Sequence, residues 1–172
     1  MWGLRRPGVW KGLAAGIAGG LVASGTMNLF QAAWTRFEEH NATSRRHTSK
    51  RKPREDDATV KAARAISEGL FGHRLTAKQK TIAGPMVHYV FGALAGGLYG
   101  VAAERSRHVT SAAGVPFGAL FWLTADEIAV PLLRLSKPPD RYPVSKHAYA
   151  LASHLLYGAT TELVRRALRR IL

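Results

Sequence analysis

Apolar residues fall into four long windows that are separated by blocks of charge. The windows cover residues 12–35, 81–103, 109–133 and 147–164. In a helix, about 20 apolar residues cover the ~30 Å hydrocarbon core of a bilayer, and the second window carries no charged side chain at all. The pattern predicts an all-α fold, a four-span transmembrane helix bundle that forms one membrane domain over residues 1–172.

Small residues recur every four positions along these windows. At that spacing they form one stripe on a helix, and such stripes let two helix backbones approach closely in lipid. The sequence therefore predicts Gly-rich packing faces within the bundle, and these faces also allow a homodimer. The glycines concerned are Gly12, Gly16, Gly20, Gly92, Gly96, Gly100, Gly114, Gly118 and Gly158.

The polar connection over residues 36–80 contains a helical pattern. Four apolar residues in it are spaced to share one face: Val60, Ala63, Ile66 and Leu70. This spacing predicts a short amphipathic helix on the membrane surface. Asp56 and Asp57 precede it and are expected to cap its start, and Gly69 and Gly72 are expected to end it.

Basic residues are concentrated in this connection and at the end of the chain. Such runs are usually solvated, and they also attract anionic lipid headgroups. We expect lipid-headgroup contacts from Arg45, Arg46, Lys50, Arg51, Lys52, Arg54, Arg165, Arg166, Arg169 and Arg170.

The first window follows a basic N-terminal segment, as in a secretory signal peptide. Under that interpretation the chain would be cleaved after a short apolar run. However, the uncharged stretch continues to Thr35 and carries a small-residue stripe that ends at Asn28. These two features favour a retained first span.

A polar residue lies at the same depth in each window. Each of four residues stands seven positions from the window edge that faces the first and third connections, about 10 Å along a helix. Each also falls on the small-residue stripe of its own window. The sequence therefore predicts a polar layer inside the bundle, with a second acid at its rim. The four layer residues are Asn28, His88, Asp126 and His154, and the rim residue is Glu127.

Three roles fit such a layer. Its side chains can hydrogen-bond across helices and fix their register. Imidazoles titrate near neutral pH, and ionisable groups inside a membrane mark transport pathways, so the layer can serve a proton or small solute. Two histidines and one or two carboxylates also resemble a facial triad for a divalent metal. No other cofactor is expected.

The net charge of +14 and a pI near 10.9 are typical of nucleic-acid-binding proteins. A soluble basic nucleic-acid-binding protein is therefore an alternative function class. The basic residues lie in connections and tails between apolar windows, and the absence of cysteine excludes zinc-finger spacing. We therefore expect the lipid bilayer as the partner, and no nucleic acid.

Motifs of common enzymes are missing from the sequence. No G-x-S-x-G elbow surrounds a serine, no cysteine is present, and the glycines lack the strand-turn-helix context of a phosphate loop. We therefore expect a non-enzymatic protein.

Several short runs resemble the YagU family of small bacterial inner-membrane proteins, a domain of unknown function. They are His88-Tyr89-Val90-Phe91, Tyr99-Gly100-Val101-Ala102-Ala103-Glu104, Pro131-Leu132, Pro138-Pro139 and Ser153-His154 with Glu162-Leu163-Val164-Arg165-Arg166. The resemblance implies a multi-pass protein of the bacterial inner membrane and implies no substrate or cofactor. It also favours cytoplasmic termini, whereas the count of Lys and Arg favours the first and third connections on the cytoplasmic side.

Overall fold

The computed structural model describes residues 8–42 and 56–172, and every regular element within these residues is helical. The helices are α1 (Val9–Ala42), α2 (Ala58–Phe71), α3 (Ala77–Arg105), α4 (Val115–Trp122), α5 (Val130–Leu132) and α6 (Val144–Ile171). Short 3₁₀ turns cover Arg107–Gly114 and Pro139–Arg141, and a π-helical segment covers Leu123–Ala129. The predicted all-α fold is confirmed for the described residues.

Among the described residues, three helical segments are long and apolar enough to cross a membrane, and they are Val9–His40, Ala77–Arg105 and Arg107–Leu132. The first two extend beyond their predicted windows because a charged residue ends an apolar window without ending a helix. The predicted window 147–164 lies inside α6, which is a helix of 28 residues. However, α6 carries too many polar side chains to qualify by composition, so four spans are not confirmed.

The third predicted span is not one regular helix. Ser111 is extended, and Ala112 and Ala113 have left-handed backbones with φ of 45° and 54°. Gly114 follows with φ of 81°, and α4 begins at the next residue, with a proline in its first turn. A proline is favourable there because its missing N–H needs no partner at a helix start. The prediction of continuous helix over 109–133 is therefore wrong before Val115.

Helices α1 and α3 contact each other through glycine. A Cβ on Gly12 would lie 2.7 Å from the carbonyl oxygen of Gly100, and a Cβ on Gly96 would lie 2.8 Å from the Cα of Gly20. Both distances are too short for any side chain, so the two backbones touch. The glycine faces of α1 and α3 thus meet within one chain, and a homodimer through glycine faces stays a prediction.

Helices α4 and α6 form a second contact of the same kind. A Cβ on Gly158 would lie 2.7 Å from the backbone nitrogen of Gly118, and one on Gly114 would lie 2.5 Å from the carbonyl oxygen of Gly158. Between the two contacts lies a small core of Ala23, Met27 and Tyr157, with Phe117 and Phe121 packed against it.

Helix α2 packs on the start of α3. The Val60 side chain lies against Gly84, and Asp56 accepts a hydrogen bond from Lys80 at 2.7 Å. Asp57 stands at the N-cap, although its side chain makes no cap hydrogen bond, contrary to the prediction. Gly72 ends the helix in a left-handed conformation, as predicted, whereas Gly69 lies within α2 and does not end it. Of the predicted apolar face, Ala63 is buried, whereas Leu70 is exposed.

Candidate functional site

The structure brings Asp126 and His154 together between the π-helical segment and α6. Their closest polar atoms, Oδ2 of Asp126 and Nδ1 of His154, are 3.7 Å apart. The His154 side chain is 7 % exposed, whereas the Asp126 side chain is 38 % exposed. The imidazole therefore lies inside the bundle, and the carboxylate lies at its edge.

The tautomer of His154 follows from a backbone contact. Its Nδ1 lies 2.9 Å from the carbonyl oxygen of Ala150, one turn earlier in α6. Because a carbonyl can only accept, Nδ1 carries the hydrogen of the neutral ring and donates it to Ala150. Nε2 then holds the lone pair, so an additional proton would bind there.

The π-helical segment explains how two consecutive acids both reach α6. Within it Val130 donates its backbone N–H to the carbonyl of Ala125, five residues earlier. This wider turn holds one more residue than an α-helical turn and changes the direction of the side chains that follow, which is why π-turns are frequent at functional sites. Pro131, which cannot donate a backbone hydrogen bond, comes directly after it.

Glu127 pairs with His147, at the start of α6. Its Oε1 lies 2.7 Å from Nδ1 of the ring, and the ring's Nε2 lies 3.1 Å from the carbonyl oxygen of Pro139. The sequence analysis placed Glu127 at the rim and did not name His147. The signal was present, since His147 precedes His154 by seven residues and so lies on the same face of α6.

The other two residues of the predicted layer lie on neighbouring helices, and His88 is near enough to His154 for the two rings to interact electrostatically. Asn28 donates a hydrogen bond from Nδ2 to the hydroxyl of Tyr89 at 3.4 Å. His88 has a buried Nε2 that finds no hydrogen-bond partner among the described residues. Of the predicted layer, the structure thus brings one acid and one imidazole together, with Asn28 and His88 on the neighbouring helices α1 and α3.

An aromatic cluster lies beside this pair. The ring of Phe121 is 5.3 Å from the His154 ring and 5.2 Å from the Tyr157 ring. Phe117 stacks on Tyr99 at 4.4 Å. These rings fill the space between His154 and the end of α6 where the arginines lie.

A buried group of charges lies beyond the aromatic cluster. Glu162 is completely buried, and it accepts hydrogen bonds from the Tyr99 hydroxyl at 2.9 Å, Arg165 Nε at 2.6 Å and Arg166 Nε at 2.5 Å. Both carboxylate oxygens of Glu162 are thus hydrogen-bonded. A buried charge needs such partners to offset the loss of its hydration.

Glu104 extends this group to α3. It accepts two hydrogen bonds from Arg169, at 2.6 and 2.9 Å, and lies 3.7 Å from Arg165. Tyr99 and Glu104 were not predicted as partners because they are more than 60 residues away from Glu162 and Arg169 along the chain.

The predicted lipid-headgroup residues are therefore not equivalent. Arg165 is 8 % exposed and bound to carboxylates, so the structure places it in the interior instead of at the surface. Arg169 is held by Glu104. Arg166 is 46 % exposed, and Arg170 is exposed, so headgroup contacts remain predictions for these two. The six basic residues predicted between 45 and 54 lie outside the described residues.

The metal alternative finds no matching geometry in the described part of the chain. Nowhere in it do three or more His, Asp or Glu side chains gather where they could hold a metal ion. In particular, Asp126 and His154 are joined by no third ligand there, as a facial triad would need.

One family model matches the chain, over residues 69–163, and its description is "Protein of unknown function (DUF1440)". The matched region contains α3 to most of α6, including Asp126, Glu127 and His154. No curated protein matches the chain, and no solved structure does. The match confirms the expectation of a family without an assigned function, whereas the resemblance to YagU-like proteins stays a prediction.

Proposed function

The chain belongs to the DUF1440 family of proteins of unknown function, and from that premise we propose that it is a non-enzymatic, multi-pass protein of the bacterial inner membrane whose Asp126–His154 pair binds and releases a proton. The family match covers more than half of the chain but brings no activity with it. The proposal therefore depends on geometry. The resemblance to YagU-like proteins supports the inner-membrane location in this proposal.

Exposed tryptophans support the membrane assignment. Trp10, near the start of α1, and Trp34, in its second half, are 80 % and 40 % exposed, and their separation of 24 positions along the helix covers about 36 Å. Tryptophan is enriched at both interfaces of a bilayer. This separation agrees with one membrane thickness including part of the headgroup regions.

The same reasoning supports α6 as a fourth span. Its start lies beside α1 near Trp34, whose ring is 5.7 Å from the Tyr149 ring, and Leu172, which directly follows α6, accepts a hydrogen bond from Lys11 near the start of α1. Its polar residues Ser153 and Thr161 are completely buried, whereas Leu163 is 60 % exposed. A helix with polar residues inside and apolar residues outside can cross a membrane within a bundle.

The contact that carries the proton-binding proposal is the 3.7 Å approach of Asp126 to His154. Ala150 holds the Nδ1 hydrogen, so the ring gains a proton at Nε2 and becomes an imidazolium. The Asp126 carboxylate balances that charge inside the bundle, where an isolated charge would be costly. Release of the proton from Nε2 restores the neutral ring, and Nδ1–H stays hydrogen-bonded to the carbonyl oxygen of Ala150.

A structural role is the second candidate, and a different contact favours it. Tyr157 donates a hydrogen bond to the carbonyl of Gly92 at 2.5 Å, from α6 to α3. Asn28 likewise joins α1 to Tyr89 of α3. Polar contacts of this kind fix helix register in membranes, and each contributes on the order of 1 kcal/mol.

Histidine NMR on the protein in lipid nanodiscs separates the two candidates. With ¹⁵N-labelled histidine, and His154→Gln to assign the signals, we expect His154 to titrate at Nε2 while Nδ1 stays protonated. Asp126→Asn should reduce the protonated fraction of the ring, because the neighbouring negative charge no longer balances the imidazolium. Asn28→Ala is the control and should leave the titration in place. If the His154 ring stays neutral at every pH at which the protein is folded, in the parent and in Asp126→Asn, the proton-binding role is contradicted and the structural role remains.

A further inference from the structure

We propose that Glu127 and His147 form a second proton-binding site, a clamp that stays closed only while the pair holds a proton and that covers the loop side of the Asp126–His154 pair. The role of the clamp as a cover rests on the proposed function of that pair. The clamp itself stands on separate contacts. Its ligand is the proton, supplied by the aqueous phase at this end of the bundle.

Both ring nitrogens of His147 face acceptors. Nδ1 is 2.7 Å from a carboxylate oxygen of Glu127, and Nε2 is 3.1 Å from the carbonyl oxygen of Pro139. A carbonyl cannot donate, so Nε2 must carry a hydrogen. A second hydrogen must lie between Nδ1 and Glu127, on one atom or the other, because two lone pairs at 2.7 Å would repel each other.

The proton count follows from these contacts. The closed clamp is either an imidazolium with a carboxylate or a neutral imidazole with a carboxylic acid. Both forms hold one proton more than a Glu127 carboxylate and a neutral His147. When that proton leaves for water, the electron pair stays on the nitrogen or oxygen that held it, and one of the two contacts loses its hydrogen bond.

The clamp joins three parts of the chain at one end of the bundle. Glu127 lies in the π-helical segment, Pro139 lies in the loop between α5 and α6, and His147 lies in the first turns of α6. Glu127 directly follows Asp126, and its side chain is 17 % exposed, less than half the exposed fraction of Asp126. Opening the clamp would free the loop and give water more access to Asp126.

Other ionisable groups near His147 are already accounted for. From the loop, the Tyr142 ring approaches the imidazole edge-on with its centre 6.4 Å away. Asp140 is paired with Arg141 at 3.7 Å on the surface. From the π-helical segment, Asp126 points to His154. On α6 itself, Lys146 is exposed. Glu127 is therefore the charged partner that makes the clamp.

Spin-label distances test the clamp directly, because the chain contains no cysteine. Labels at Asp140→Cys in the loop and Ile128→Cys in the π-helical segment, both exposed positions, report the separation of these parts. In nanodiscs we expect one short, narrow distance distribution at low pH. At high pH the distribution should become longer and broader, and the change should be reversible.

Glu127→Gln is the decisive variant. A glutamine amide can donate to Nδ1 of a neutral His147 while Nε2–H still donates to Pro139, so the clamp no longer needs the extra proton. We expect the distance distribution to stay short and to lose its pH dependence. His147→Gln removes the titratable ring and should also lose the pH dependence, which protects the test if the first variant folds poorly.

Asp126→Asn separates this proposal from the proposed function. It should keep the pH-dependent distance change while altering the His154 titration. The proposal is overturned if the labelled parent shows no pH-dependent change, or if Glu127→Gln keeps it. Failure of the Asp126–His154 proposal alone would leave the distance change intact and would alter only the NMR result.

Discussion

Glu162 and Arg165 form an ion pair inside the bundle. The completely buried Glu162 carboxylate accepts a hydrogen bond from Nε of the Arg165 guanidinium at 2.6 Å. The pair is built within one helix, three residues apart, and Tyr99 and Glu104 complete it from α3. Removing charges from water is costly, and these additional hydrogen bonds are what offset that cost. The two groups therefore depend on each other more than a surface pair would.

Arg165→Met should strongly destabilise the protein. It leaves Glu162 buried with one charged partner fewer, and breaking a buried pair in this way costs about 3–5 kcal/mol. The double variant Glu162→Gln/Arg165→Met should recover part of the loss, because position 162 then carries no buried charge that has lost a partner. Reversible unfolding in mixed micelles measures both. Arg170→Gln, at an exposed position, is the control and should change the free energy of unfolding by less than about 0.5 kcal/mol. Equal effects of Arg165→Met and Arg170→Gln would contradict the buried pair.

Gly96→Leu should prevent the close approach of α1 and α3. A Cβ at this position already lies 2.8 Å from the Cα of Gly20, and backbone atoms cannot move aside as a flexible side chain can. We expect loss of folded protein in detergent, measured by the yield of a monodisperse peak in size-exclusion chromatography.

Gly69 provides the matched control, because a Cβ there meets nothing within 4 Å. Gly69→Ala should leave the yield unchanged and should stabilise α2 by up to about 1 kcal/mol, the usual difference in helix propensity. Similar losses of yield for Gly96→Leu and Gly69→Ala would show that the glycine contact does not decide folding.

The long helices could be predicted from sequence because an apolar window of about 20 residues is itself typical of a membrane-spanning helix. Their ends could not, since α1 continues through Glu38 and Glu39 to Ala42 without any apolar pattern. The break at Ala112 and Ala113 was also missed, because alanine normally favours a helix and only the contact of the next residue, Gly114, with α6 shows why the chain turns there.

The site was predictable to a similar extent. Depth and spacing identified Asp126 and His154, which the structure brings together. His147 was not predicted as the partner of Glu127, because it stands at the edge of an apolar window, where a polar residue normally marks the end of a span. The burial of the charges at the end of α6 was not predicted, for a physical reason. An arginine next to a helix end is usually solvated, and only long-range contacts such as that of Arg169 with Glu104 reverse this.

Acid should loosen the attachment of α2 to α3. The hydrogen bond from Lys80 holds the pKa of Asp56 below its ordinary value. A depressed pKa stabilises the folded state above the unfolded-state pKa, and that stability is lost as the pH falls through the folded-state value. Amides of α2 should therefore show lower protection factors in hydrogen exchange below about pH 4. These factors are corrected for the pH dependence of exchange in an unstructured chain. Asp56→Asn should show the weaker protection at every pH, and an unchanged pH dependence in that variant would contradict the role of this pair.

The last prediction uses two neighbouring residues with opposite expected signs. Ala113 has a left-handed backbone, with φ of 54°, and this conformation costs an L-residue about 1 kcal/mol. Ala113→Gly should therefore stabilise the protein. The gain should be somewhat less than that cost, because glycine loses more backbone entropy on folding. Gly114 also has a left-handed backbone, φ of 81°, and in addition a Cβ there would lie 2.5 Å from the carbonyl oxygen of Gly158 and 2.8 Å from the Cβ of Glu162.

Gly114→Ala should therefore destabilise the protein by more than backbone conformation alone requires, about 2 kcal/mol or more, because it separates α4 from α6. Unfolding in mixed micelles measures both variants under one set of conditions. Ala125→Gly, at the buried position of the π-helical segment, should destabilise the protein and controls for a general effect of added glycine. A stabilising Gly114→Ala, or a destabilising Ala113→Gly, would mean that the chain does not make this left-handed turn before α4.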